Sequence, residues 1–101
     1  MQIEIKKENG ASIAFLSGEI DHHCAKDLRT QLDRHIIGSR PSKLIIDLNN
    51  ITFMDSSGIG LIMGRSKLMK ACGGEVVVNS PQPYIKRVLK LAGIDRIVSI
   101  T

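Results

Sequence analysis

Aromatic side chains are scarce: the 101 residues include no Trp, one Tyr and two Phe. A core made from this chain must be aliphatic, and few rings are available to stack on nucleic-acid bases. Only two cysteines occur, Cys24 and Cys72, too few and too far apart to suggest a metal site. A single disulfide is arithmetically possible, but two free thiols are expected of a cytoplasmic chain. No apolar run approaches the ~20 residues needed to span a bilayer. The N-terminus, Met1 to Lys7, alternates and carries charge, and it lacks the apolar core of a signal peptide. The formal net charge of +4 permits anionic partners without demanding them. Hydrophobic and charged fractions of 43% and 24% are those of an ordinary globular chain. One soluble, cytoplasmic domain over residues 1–101 is expected, and nothing in it demands more than a monomer.

The chain is organised around Ile51 to Gly60, continuing to Gly64-Arg65. Lys43 to Asn49 precedes it as a strand, and the near-continuous apolar run of Leu44, Ile45, Ile46 and Leu48 suggests burial on both faces. After it, Ile59, Leu61, Ile62, Met63, Leu68 and Met69 recur at helical spacing, and Gly73-Gly74 stops that helix near Cys72. The turn from Met54 to Gly58 thus lies between strand and helix. Asp55, Ser56 and Ser57 can each cap a helix through a side-chain oxygen. A phosphate on a serine there would be tolerated by the helix dipole, so phosphorylation could reverse the surface charge without breaking the fold. A simple cap and a phosphorylation switch both fit the triplet.

The remaining elements follow in order. Gln2 to Lys7 reads as a strand, Glu8-Asn9-Gly10 as a turn, and Ser12 to Ser17 as the second strand of a hairpin, with Gly18 to Asp21 leading out. A helix runs from His22 or His23 to Ile37, with Ala25, Leu28, Leu32 and Ile36 inward, Asp33 on the wet side, Asp21 as N-cap and Gly38 as its stop. Glu75 to Val78 is a short buried strand, Tyr84 to Leu91 a third helix, and Ile97 to Ile100 a last strand. Strand and helix alternate after the hairpin, which points to an α/β domain with a mixed, mostly parallel sheet and helices packed against it.

Several chemistries fit poorly. Gly58-x-Gly60-x-x-x-Gly64 misses the dinucleotide fingerprint by one residue, and no acidic residue ends the next strand. These glycines are read instead as giving close helix packing and a tight turn. A nucleophile elbow at Ser56-Ser57-Gly58 has Met54 in place of its first glycine, and all three histidines precede the serine. His22-His23-Cys24 lacks further ligands to complete a metal shell. Arg65, Lys67, Lys70, Lys86, Arg87 and Lys90 could meet nucleic acid but read most simply as solvated faces. No enzyme activity, cofactor or metal is indicated.

Two separated segments, Gly18-Glu19-Ile20-Asp21-His22-His23-Cys24-Ala25 and Phe53-Met54-Asp55-Ser56-Ser57-Gly58-Ile59-Gly60 with Gly64-Arg65, resemble the signature segments of the anti-sigma factor antagonists, which are STAS domains. Gly73 to Val78 and Lys86 to Ile94 are similar to that family too, so the resemblance covers nearly the whole chain. Asp-His-His after Gly-Glu-Ile resembles the sporulation branch, which acts on the anti-sigma factor of sigma F. Members of the family usually continue into a further C-terminal helix, whereas this chain stops at Thr101, which bears on stability rather than on the switch.

The resemblance implies a non-catalytic binding switch. The unphosphorylated form would bind an anti-sigma factor that is also a serine kinase and so release the sigma factor. Phosphorylation of Ser56 would end binding, and a serine phosphatase would reset it. Asp21, His22, Asp55, Ser56, Ser57 and Gly58 are the expected partner-binding residues, with Ser57 as first helical residue or second cap, its hydroxyl occupied. Asp21 is expected to lie near the serine turn and to serve as both cap and interface residue. A general-stress antagonist, a small nucleotide-binding protein built on the glycines, and a nucleic-acid binder are the alternatives.

Overall fold

In the computed structural model, which describes residues 1–101, strands β1 (Gln2–Glu8) and β2 (Ala11–Ile20) form an antiparallel hairpin. Asn9 and Gly10 join them with φ of 50° and 82°, the left-handed pair that such a turn needs. Strands β3 (Lys43–Met54), β4 (Glu75–Asn79) and β5 (Ser99–Ile100) add in parallel, giving the order β1-β2-β3-β4-β5. Helices α1 (His22–Ser39), α2 (Ser56–Ala71) and α3 (Pro83–Leu91) make the crossovers. The α/β layer with its hairpin and mostly parallel sheet is thus as expected.

One face of the sheet carries the core. Ala14, Leu16, Leu44, Ile46, Val76 and Val78 join residues from all three helices in a single aliphatic cluster. Burial alternates along β3, so the apolar run there does not mark a strand covered on both faces: Leu44, Ile46 and Leu48 are fully buried, Ile45 and Asp47 only half-buried. Ile45 is instead shielded sideways, by Ile13 and Val77 in register on the adjacent strands. On the core face the buried Ser12 hydroxyl meets His35 Nε2 at 2.7 Å, fastening α1 to β2. Burial, helped by the charge of Lys7, holds the His35 imidazole below its ordinary value.

Four boundaries differ from the sequence expectation. β2 continues past Ser17 to Ile20, and β3 continues past Asn49 to Met54, because the two extensions pair with each other. Register shifts at Phe15/Ser17 and Gly18/Glu19 make this possible. Gly18 takes φ 108° at the second shift, where a side chain would also press on the Met1 backbone. Gly38 does not stop α1; Arg40 does, turning left-handed at φ 43° with its N–H bonded to Ile36 O at 2.8 Å. The last strand loses Ile97 and Val98, whose N–H groups bond back to Ile94 O in a 3-10 turn over Ile94–Arg96.

Arg65 is not on a solvated face, and Asp33 stands half-exposed at the edge of the wet side of α1. Arg65 is 6% exposed, and its Nε lies 2.8 Å from Asp33 Oδ1, an ion pair that joins α2 to α1. The pair is close but not aligned as a hydrogen bond, and Arg65 Nη1 has no partner within the chain. Burial pulls the guanidinium below its ordinary value, Asp33 opposes this, and Arg29 adds to it. Removing Asp33 would leave a buried charge uncompensated. Asp33→Ala is expected to lower stability by about 3 kcal/mol, and adding Arg65→Leu to recover much of it, measured by urea unfolding.

The glycines divide by the space around them. A Cβ on Gly58 would overlap Met54 Cγ and lie 3.2 Å from Ile20 Cγ2, so this glycine does serve close packing. Gly60 and Gly64 have no atom within 4 Å of that position, so they pack against nothing and only weaken the helix. Gly60→Ala and Gly64→Ala should each raise unfolding stability by about 0.5–1 kcal/mol. Gly58→Ala should lower it by about 1–3 kcal/mol, with opposite shifts of the urea midpoints as the check.

Candidate functional site

The last rung of the β2–β3 pairing sets Ile20 beside Met54. The chains leaving these two residues therefore start side by side, and Asp55 N–H donates to Ile20 C=O at 3.1 Å. Each chain then enters a helix through an aspartate. Asp21 caps α1, its Oδ1 accepting from the N–H groups of His23 at 3.0 Å and Cys24 at 3.2 Å. Asp55 caps α2, its Oδ1 accepting from Ser57 N–H at 2.8 Å. Two helix N-termini with two capping carboxylates thus lie at one sheet end, as the expected nearness of Asp21 to the serine turn requires. Gly58 is buried, and its N–H bonds to Asp55 C=O at 3.0 Å, so the turn rests on Met54 and Ile20 without a gap.

The two serines are now distinguishable. Ser56 is the first residue of α2 and exposed; Ser57 is the second and half-buried. Ser57 is therefore neither first helical residue nor cap, and its backbone N–H, rather than its hydroxyl, is the engaged group. The difference from expectation arises because Asp55 reaches the capping position first, its longer side chain spanning to the N–H two residues on. Ser56 presents its hydroxyl to solvent at the positive end of the α2 dipole. His22 and His23 open α1, both exposed, with ring centroids 4.0 Å apart and planes tilted by 36°. All six residues expected at the interface, Asp21, His22, Asp55, Ser56, Ser57 and Gly58, gather at the ends of β2 and β3. No group of three or more His, Cys, Asp or Glu is arranged to hold a metal ion.

Two residues of this sheet end were not singled out in the sequence. Phe53 is 43% and Tyr84 45% exposed, and Tyr84 Oη donates to Thr52 C=O at 3.0 Å. Phe53 shows no signal of exposure, because Ile51-Thr52-Phe53 alternates regularly and would place Phe53 on the same face as the buried Ile51. Tyr84 shows none, since its place beside β3 comes from the packing of α3.

A family model described as the STAS domain matches residues 2–101. The chain belongs to the STAS domain family. An anti-sigma F factor antagonist of Paenibacillus polymyxa is 40% identical over 99% of this chain and 86% of its own length. An anti-sigma-B factor antagonist of Bacillus subtilis is 26% identical over 100% of this chain and 91% of its own. Among solved structures, the anti-sigma factor antagonist SpoIIAA in its unphosphorylated form matches this STAS domain with a TM-score of 0.86 at 25% identity, covering 99% of this chain and 88% of that one. The Bacillus SpoIIAA in its phosphorylated form matches with a TM-score of 0.77 at 25% identity, over 99% and 91% of the two chains.

The electrostatics of the caps can be tested. Burial alone would raise the Asp21 carboxyl, but the backbone N–H groups of Cys24 and His23, the Cys24 thiol and the His23 charge outweigh it and hold the carboxyl below its ordinary 3.8. Its charge therefore stabilises the fold above that value, and the effect is lost as pH falls through the lower, folded value. Asp21→Asn, which retains a capping oxygen without the charge, should unfold at a lower temperature than the parent at neutral pH. The gap should close in strong acid, as followed by circular dichroism across a pH series.

Proposed function

We propose that this STAS domain is an anti-sigma factor antagonist of the sigma F kind, switched by phosphorylation of Ser56. The single observation that carries the site assignment is the exposed, unbonded Ser56 hydroxyl at the capped N-terminus of α2. The 40% identity to the Paenibacillus relative, against 26% to the anti-sigma-B antagonist, supports the sigma F branch over the general-stress one. The protein acts by binding, as a monomer in the cytoplasm, and needs no cofactor of its own.

In the unphosphorylated state, Asp21, His22, Asp55, Ser57 and Gly58 form the contact surface around Ser56, and binding of the anti-sigma factor releases the sigma factor. The anti-sigma factor is also the kinase. Ser56 Oγ attacks the γ-phosphorus of ATP, the bond to the β–γ bridging oxygen breaks, ADP leaves, and the hydroxyl proton passes to a base on the kinase. The product carries close to two added negative charges at neutral pH. The α2 dipole tolerates them, so the fold persists. A partner surface shaped for a hydroxyl beside two carboxylates does not, because like charges held without water repel. A serine phosphatase resets the switch by hydrolysis.

The alternatives fare worse on particular residues. A nucleotide site built on Gly60 and Gly64 would place them along an open helix side, away from the free N–H groups of the α2 start. A basic nucleic-acid face along α2 loses Arg65, which is buried against Asp33.

Incubation of the chain with the Paenibacillus polymyxa anti-sigma F factor and ATP, followed by intact mass and peptide mapping, tests the proposal. One phosphoryl group is expected on the Ser56 peptide, none in Ser56→Ala, and roughly tenfold or greater loss of affinity in Ser56→Asp. A phosphate on Ser57 would move the site; binding without phosphorylation would reduce the domain to a scaffold without this switch.

A further inference from the structure

Two of the chain's three aromatic residues are exposed at the end of the sheet that carries Ser56. Phe15, the third, lies on the half-open sheet face with the Lys6 ammonium 5.7 Å above its ring. Phe53 stands three residues before Ser56, and Tyr84 opens α3. Two side chains dock the start of α3 onto the tail of β3: Tyr84 Oη bonds Thr52 C=O at 3.0 Å, and Gln82 Nε2 bonds Asn49 C=O at 2.7 Å. Tyr84 is thus held in one orientation while nearly half its surface stays in water. A ring fixed before binding loses little entropy when covered, and tyrosines of this kind are favoured anchors of protein interfaces. The rest of α3 adds charge of one sign. Lys86, Arg87 and Lys90 are its only ionisable groups besides Tyr84, and they supply three of the formal net charge of +4.

We propose that Phe53 and Tyr84, rimmed by the exposed Arg87 one turn along α3, extend the partner-binding surface from the serine turn onto α3 and select the anti-sigma factor that docks there. This rests on the function proposed above. The matching surface on the partner is an apolar recess edged by acidic residues. It is continuous with the contact around Ser56, because Phe53 and Asp55 belong to one strand-to-helix passage. The flank is also chemically separate from the switch: phosphorylation changes the charge at Ser56 and leaves the two rings unaltered. The aromatic flank therefore sets affinity and choice of partner, while the serine decides whether the complex persists.

The test is calorimetric titration of the full unphosphorylated chain with the Paenibacillus polymyxa anti-sigma F factor, with urea unfolding of each variant alongside. Tyr84→Ala and Phe53→Ala should each weaken binding by roughly tenfold. Tyr84→Phe, which keeps the ring, should lose much less. Arg87→Glu should weaken binding and flatten its dependence on salt, as for the loss of a complementary rim charge. Leu91→Ala should bind as the parent does, although Leu91 is 83% exposed, because it lies at the far end of α3. Parental affinity in Tyr84→Ala and Phe53→Ala, with binding still lost in Ser56→Asp, would overturn this inference and leave the proposed function standing. Failure of the parent chain to bind would overturn both.

Discussion

The continued pairing of β2 with β3 beyond the rest of the sheet is the constraint on which this structure depends. β4 stops pairing with β3 at Asp47, yet β2 follows β3 to Met54. The extra rungs need two irregularities in register and a glycine in a conformation that other residues avoid. In return they bring Ile20 and Met54 together, and so the starts of two helices. A shorter pairing would leave Asp21 and the Asp55-Ser56 turn on separate loops with no fixed relation. The bond from Asp55 N–H to Ile20 C=O and the contact of Gly58 with Met54 and Ile20 complete that junction.

Behind the junction, α1 and α2 are held to each other and to the sheet by a few polar contacts set in an aliphatic core. Arg65 with Asp33 joins the helices, and Ser12 with His35 joins α1 to β2. Such contacts add little net stability, since burying charge costs about as much as pairing it returns. Their value is geometric: methyl groups slide past one another, whereas a buried guanidinium tolerates few positions. Helix starts that must present a surface to a partner benefit from being fixed in this way.

The site suits a switch that works through charge and leaves the fold intact. A phosphate at a helix N-terminus meets a favourable dipole within its own chain and an unfavourable one in a partner fitted to a hydroxyl. Under the proposed function, the free energy of modification would be expressed at the interface. If the proposed function holds, an aromatic flank beside Ser56 would let partner choice and switching vary independently, because the first depends on apolar fit and the second on charge.

Much of this could be read directly from residue order. Alternation and helical spacing were enough to place the hairpin, the three helices and the parallel sheet, since amphipathic elements of this length have few ways to bury their apolar sides. Asp21 and Asp55 were legible as caps because capping is a matter of neighbouring residues. Tertiary structure alone decided what depends on distant partners. The strand that reads as ending at Asn49 runs on to Met54 because β2 pairs with the extension. Arg65 reads as solvated and became buried because it found the half-buried Asp33 across two helices. Ser56 was separated from Ser57 by exposure and by the reach of Asp55, not by any difference in their chemistry. Local propensities act over a few residues, whereas pairing, burial and exposure are set by residues far apart in sequence, and no single stretch contains that information.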